Sequence, residues 1–263
     1  MKVVLFCGGM GMRLRDYSET VPKPLVPIGQ RPILWHLMKY YAHYGHRDFI
    51  LCLGYRAEAI KDYFIHYDER LSNDFRLSQG GRAIELLGND IADWTITFVD
   101  TGLESNIGQR LAAVRPHLEG EAMFLANYAD GLADLDLDAY VAWFRESDAV
   151  ASLVSVVAPQ TFHLVESGAD RRVSGMHHVS RSDVRVNGGF FVFRPEIFDV
   201  LGPGEELVEE PFQRLIDRKQ LLAHPHDGFW LAMDTFKDKS RFEDLVRDGR
   251  TPWQVWRGGA KSR

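Results

Sequence analysis

The sequence predicts an α/β protein with a mixed, mainly parallel sheet flanked by helices and a smaller β-rich portion in its second half. Three observations carry that reading. Strand and helix patterns alternate over about residues 1–148, the rhythm in which crossover helices bring successive strands parallel. The chain opens on an apolar strand, Val3-Val4-Leu5-Phe6, that runs straight into the glycine-rich turn Cys7-Gly8-Gly9-Met10-Gly11. Beyond residue 149 the pattern turns to short strands at 149–157, 162–166, 171–177 and 189–193.

Each element has its own signal. Residues 2–6 read as a buried strand, and Pro32 to Tyr44 has helical apolar spacing with proline in its first turn. A strand follows at 48–53, a helix near 56–66, a strand over Thr95–Val99 and a helix from about 107 to 117. Ala122–Asn127 is the next strand and Leu137 to Glu146 the next helix. The polar, turn-rich stretch from about 69 to 94 reads as an excursion, a hairpin beside the site. Two helices are expected near 195–201 and 209–218, ahead of a Trp-rich tail. A sheet of this kind holds its ligands at the carboxyl ends of its strands.

Bulk properties narrow the function. The 263 residues suit one domain, and 45% apolar content is enough for a sizeable core. A net charge of −6 argues against nucleic acid or a membrane surface as the main partner. An anionic substrate must then meet a local cluster of cations. Cys7 and Cys52 both lie in apolar strand runs, which makes them core residues rather than a disulfide framework or a metal knuckle. With no basic leader region and no apolar run of membrane-spanning length, the expected location is the cytoplasm.

The first turn supplies that cluster. Gly8, Gly9 and Gly11 let the backbone approach an anion, and successive amides in such a turn form a concave anion site. Arg13 adds a planar fork for phosphate oxygens, and Lys23 follows ten residues later between Pro22 and Pro24. Prolines on both sides fix the backbone around Lys23, an odd treatment for a merely solvated lysine. Glycine-rich turns after a first strand are also ordinary in α/β proteins. This one is not a P-loop, because Gly-Lys-Ser/Thr is absent, nor a dinucleotide fingerprint, because the third glycine is missing. A dehydrogenase is a distant alternative. Two aspartates each follow an apolar run: Asp130 in Asn127-Tyr128-Ala129-Asp130-Gly131 and Asp234 in Leu231-Ala232-Met233-Asp234. Paired carboxylates beside a polyphosphate suit octahedral Mg²⁺, although Asp-Gly after a strand is often only a turn. Nothing in the local pattern brings the two together.

Taken in order, Gly-Gly-Met-Gly-Met-Arg-Leu, Pro-Lys-Pro-Leu-Val-Pro-Ile-Gly, Pro-Ile-Leu-Trp-His, Tyr-Ala-Asp-Gly, Asn-Gly-Gly-Phe-Phe-Val and Gly-Phe-Trp-Leu-Ala-Met-Asp-Thr resemble the sugar-phosphate nucleotidyltransferases. Within that family the chain is most similar to the glucose-1-phosphate cytidylyltransferases, over essentially its whole length. The resemblance implies a Rossmann-like core, with about 1–148 binding nucleotide and about 149–263 binding the acceptor. It implies transfer of CMP from CTP to glucose 1-phosphate or a related phosphorylated acceptor, with pyrophosphate released, in sugar-nucleotide and cell-surface polysaccharide biosynthesis, and a homo-oligomer. Gly8, Gly9, Gly11 and Arg13 match the triphosphate loop, Lys23 the catalytic lysine, Asp130 and Asp234 the Mg²⁺ ligands, and Asn187 and Gly188 the sugar-facing segment.

Thr101–Arg110 occupies the place where the family reads the base. Cytosine offers acceptors at O2 and N3, so the pure donor Arg110, with Gln109 and loop amides, is expected to favour CTP over UTP or dTTP; alternatively Arg110 only caps its helix. On the acceptor side Val179 stands where the relatives carry lysine in Glu-Lys-Pro, and His163 where they carry glycine. His178, Arg181 and Arg185 are then the candidates for the acceptor's phosphate, and the acceptor is left open between glucose 1-phosphate, another sugar phosphate, and a different small phosphorylated polyol or phosphonate. The alternative of another class is a nucleotide-binding module without catalysis.

Overall fold

The computed structural model describes residues 1–9, 21–157, 162–179 and 182–257. In chain order the first half holds β1 (Lys2–Phe6), the two-residue strands β2 (Pro27–Ile28) and β3 (Arg31–Pro32), α1 (Ile33–His43), β4 (Asp48–Leu53) and α2 (Ala57–Ile65). Then come β5 (Phe75–Ser78), β6 (Ala83–Leu86), β7 (Thr95–Asp100), α3 (Ile107–Val114), β8 (Phe124–Asn127), β9 (Gly131–Ala133) and α4 (Leu137–Arg145). The second half holds β10 (Ala151–Val157), β11 (His163–Ser167), β12 (Val173–His178), β13 (Arg185–Phe193), α5 (Glu210–Asp217), β14 (Leu221–His226), β15 (Trp230–Ala232) and α6 (Phe236–Arg247).

One seven-stranded sheet runs through both halves in the order β14-β10-β13-β8-β1-β4-β7. Strands β8, β1, β4 and β7 are parallel, and β10 is parallel to β14, while β13 runs antiparallel between β8 and β10. Alternation along β1 sets the layers. Val3 and Leu5 face a core with Leu34, Leu37, Ile60, Tyr140 and Phe242, which puts α1, α2, α4 and α6 on that side. Val4 and Phe6 face Leu111, Val114, Phe212 and Leu215 from α3 and α5.

The excursion is the hairpin β5–β6, as its turn-rich sequence predicts. Its base is tied to α1 through buried Asp90, which accepts from Tyr67 Oη at 2.8 Å and lies 3.5 Å from Arg31 and Lys39. The helix expected over 107–117 ends as an α-helix at Val114 and tightens into a 3₁₀ turn, Arg115–Leu118, since Pro116 brings no amide. The segment near 195–201 is likewise a 3₁₀ turn, Pro195–Asp199, rather than an α-helix. Strand β14 and helix α6 stand where no element was expected. The Trp-rich tail closes the first core: Trp253 is buried against Phe229 and Phe242, and its indole lies 3.4 Å from His36 Nδ1. No helix among the described residues is long and apolar enough to cross a membrane.

Candidate active site

The two aspartates meet because a short ladder joins them. After β8 the chain turns through Tyr128 and Ala129 to Asp130 and enters β9, which pairs antiparallel with β15 through Gly131–Ala232, Leu132–Leu231 and Ala133–Trp230. One step further the Met233 amide donates to the Asp130 carbonyl at 2.8 Å. Asp130 and Asp234 therefore leave the end of one ladder side by side.

Lys23 stands between them. Its Nζ donates to Asp130 Oδ2 at 2.7 Å and to Asp234 Oδ1 at 2.8 Å. The prolines around it shape a single 3₁₀ turn, Lys23–Leu25, closed by Leu25 N–H to Pro22 O at 2.8 Å and Val26 N–H to Lys23 O at 3.1 Å. Burial works to lower the Lys23 pKa, but the two carboxylates outweigh it and hold the ammonium above its ordinary value. Burial pushes the Asp130 carboxyl up, and Lys23 pulls against that shift. The result is one cation and two partly buried carboxylates, brought together beyond the carboxyl end of β8.

Arg110 has a different place from the one its sequence suggests. The side chain is 2% exposed and its guanidinium joins three strand-end loops. Nη1 donates to Leu53 O (3.1 Å), Thr101 Oγ1 (2.7 Å) and Gly102 O (2.9 Å), and Nη2 to Gly8 O (3.1 Å) and Leu103 O (3.4 Å). A Cβ on Gly8 would collide with this guanidinium, so the structure gives Gly8 a reason to be glycine other than approach to an anion. Gln109 is also engaged: its Oε1 accepts the Asn106 amide at 2.9 Å while Asn106 Oδ1 accepts the Gln109 amide at 2.8 Å, a reciprocal cap on α3. The cap on this helix thus belongs to Gln109 and Asn106, and the expectation that Arg110 turns its N–H groups to a base gives way to a clamp on the loops around it.

Among the residues expected to face the acceptor, His163 and His178 pair across the hairpin β11–β12, their rings edge to face at 5.4 Å. Val179 is 1% exposed, with its amide bonded to Phe162 O at 3.1 Å. It closes the hairpin as an apolar plug, at the position where the family resemblance led a lysine to be expected. Arg185 is spent on the edge of the sheet, donating to Ser155 O at 3.0 Å and pairing with Asp227. Asn187 Nδ2 donates to Tyr128 Oη at 3.1 Å, and the Gly188 carbonyl accepts from Trp230 Nε1 at 2.8 Å. These bonds connect β13, β15 and the turn that carries Asp130. Gly9 follows β1 and is exposed, whereas Gly11, Arg13 and Arg181 lie outside the described residues.

Sequence reasoning missed Tyr41, Asn127, Tyr128 and Trp230, the neutral residues that fix the carboxylate turn. Asn127 carried a signal in hindsight: an asparagine ending an apolar strand two residues before a non-glycine turn position is placed to bond that turn.

The sequence profile of the nucleotidyl transferase family matches residues 2–239. Glucose-1-phosphate cytidylyltransferase of Salmonella typhimurium is 36% identical over 257 residues, which is 97% of this chain and 100% of that protein. A probable glucose-1-phosphate cytidylyltransferase of Bacillus subtilis is 36% identical over 260 residues, again covering 97% and 100%. Among solved structures, UDP-glucose pyrophosphorylase complexed with UDP-glucose superposes with a TM-score of 0.70 at 15% identity, over 95% of this chain and 99% of that one. That last likeness is one of fold.

Proposed function

The chain belongs to the nucleotidyl transferase family, and we propose that it transfers CMP from CTP to a sugar 1-phosphate and releases pyrophosphate. The observation that carries this reading is the meeting of Lys23 with Asp130 and Asp234 at 2.7 and 2.8 Å. The cytidylyltransferase relatives cover the chain nearly end to end, which favours CTP and a sugar 1-phosphate within the family.

In the proposed reaction an oxygen of the acceptor's phosphate attacks the α-phosphorus of CTP in line. The bond from that phosphorus to the bridging oxygen breaks, and the electron pair leaves with pyrophosphate. No protein nucleophile is needed. The chain's work is positioning and charge neutralisation. Lys23 is held by two fixed prolines and supplies positive charge that can shift from the carboxylates to a phosphate oxygen. Arg13 and the amides after β1 are the proposed triphosphate cradle.

Asp130 and Asp234 fit a divalent metal: both are hard oxygen donors, and both reach the same ammonium. The described residues hold no cluster of three or more candidate metal ligands, so phosphate oxygens and water would complete the shell. Mg²⁺ held there would neutralise charge on the phosphates. We assign base preference to the loop amides after β7, with Arg110 setting the shape of that loop through its bonds to Gly102 and Leu103.

One observation favours an acceptor other than glucose 1-phosphate. Val179 is buried and apolar where the family resemblance implies a lysine, so we assign the acceptor's phosphate to His163 and His178 on the paired strands and to Arg181. Pyrophosphate release with CTP and Mg²⁺ against a panel of sugar 1-phosphates tests both parts, with UTP, dTTP and ATP as controls. CTP-dependent release with at least one sugar 1-phosphate is expected. Release with UTP or dTTP but not CTP would sink the cytidylyl assignment, and no release with any pairing would favour a binding module.

A further inference from the structure

Asp130 is reached through a turn that the chain does not take freely. Ala129 has φ of 64°, in the left-handed region that an alanine side chain rarely adopts. The turn is fully buried at Ala129 and is held from behind by Asn127, the last residue of β8. Asn127 Oδ1 accepts the Ala129 amide at 3.1 Å, and Asn127 Nδ2 donates to Tyr41 Oη at 3.2 Å. Tyr41 comes from α1, is buried, and has its ring centroid 6.2 Å from that of Phe190.

The same device occurs a second time, on β13. Asn187 Oδ1 accepts the Gly189 amide at 2.9 Å, Asn187 Nδ2 donates to Tyr128 Oη at 3.1 Å, and Gly189 has φ of 75°. There the left-handed residue is glycine, and a Cβ would run into the Tyr128 ring. At residue 129 the chain keeps a methyl group, so the asparagine must hold what glycine would allow without strain. Both ends of the Asn127 amide are bonded, which fixes its orientation: reversing it would set an NH₂ group against the Ala129 N–H.

We infer that Asn127, anchored by Tyr41, is a positioning residue that aims the Asp130 carboxylate. Asn127 itself bonds neither Lys23 nor Asp234 in the contacts above; it acts through the turn. The inference rests on the proposed role of Asp130 as a metal carboxylate. It goes further by placing the control of that carboxylate one helix away, at the phenol of Tyr41.

The direct test is Mn²⁺ binding to the protein in the presence of CTP and the absence of acceptor, read by electron paramagnetic resonance. Asn127→Ala should weaken Mn²⁺ binding about 10-fold, the lower end of the effect of removing a group that orients a metal ligand. Tyr41→Phe keeps the ring packing and removes only the hydroxyl; it should weaken binding in the same direction and by less, and it carries the test alone should Asn127→Ala not fold. Ala129→Gly placed in either variant should restore part of the loss, because glycine takes the turn unaided; a general loss of packing would not be recovered in this way. Unchanged Mn²⁺ binding in Tyr41→Phe and Asn127→Ala, with binding lost in Asp130→Asn, would overturn the inference while leaving the metal reading intact. Retained binding in Asp130→Asn would overturn the metal reading and the inference with it.

Discussion

The proposed nucleotide side and the proposed acceptor side of this molecule are built to different standards. Around β1, β4 and β7 a single buried guanidinium holds three loops, and a ladder between β9 and β15 forces two carboxylates onto one lysine. The hairpin β11–β12 pairs only with itself as a two-stranded sheet and leaves Met176 63% exposed and Val173 60% exposed. Buried polar networks tolerate little change, since each lost partner strands another buried group. An exposed ribbon tolerates a good deal. In the proposed function, chemistry is fixed where the chain is over-determined, and acceptor choice sits where residues can change without disturbing it.

The contrast can be broken first at Lys23. Lys23→Met should lower kcat by about 1,000-fold, the scale of losing a charge contact made to developing charge in the transition state. Pyrophosphate release at saturating CTP measures it, and a loss below ten-fold would remove Lys23 from the reacting centre. Arg110→Met comes next. It removes the guanidinium bond to the Gly102 carbonyl and one of the bonds held by the carbonyls of Gly8 and Leu53, which keep the Tyr55 and Thr101 amides, and should cost about 3 kcal/mol of stability, read from urea unfolding. A variant as stable as the parent would mean the loops do not depend on the clamp.

The core under α1 sharpens the same point through pH. Burial, together with nearby Arg257 and Arg31, lowers the His36 pKa to about 4 despite the opposing bond to Ile28 O. Its ordinary value is 6.5, so below that pH the unfolded chain takes up a proton that the folded chain refuses. Stability is whole above pH 6.5 and falls as pH drops toward 4, by about 3 kcal/mol from this residue. His46, lowered to about 4 by burial and by the N-terminal amine, adds to the same slope. Urea midpoints between pH 7 and 4.5 should show it, with a shallower slope in His36→Asn. The smallest effect belongs to the acceptor ribbon: Met176→Ser should change stability by less than about 0.5 kcal/mol. Any change in its kinetics should lie in the KM of the acceptor and not of CTP. A large loss of kcat would erase the distinction between the two sides.

Most of the sheet was legible because its strands are short apolar runs between turn signals, as in Val3–Phe6 and Asp48–Leu53. Strand β14 was not, because Leu-Leu-Ala-His-Pro-His carries a proline and two histidines and lies at the edge of the sheet, where a missing amide is tolerated. Helix α6 was overlooked for its charged sequence, yet Thr235 and Asp238 form a reciprocal cap that marks its start. In the site, Lys23, Asp130 and Asp234 could be named from motifs, but their meeting depends on the pairing of β9 with β15, which no local pattern encodes. Arg110 illustrates the opposite failure: its residue type suggested a ligand contact, and only the fold reveals five carbonyl and hydroxyl acceptors already around it.

In the proposed reaction the bond that breaks is at the α-phosphorus of CTP, beside Lys23 and the two aspartates. That cleavage is tested most directly by supplying CTP labelled at the α- or the γ-phosphate, together with Mg²⁺ and a sugar 1-phosphate. The α label should appear in the sugar nucleotide and the γ label in pyrophosphate, with both signals lost in Lys23→Met. Release of single phosphate from the γ position, or an α label that stays with free nucleotide, would contradict it.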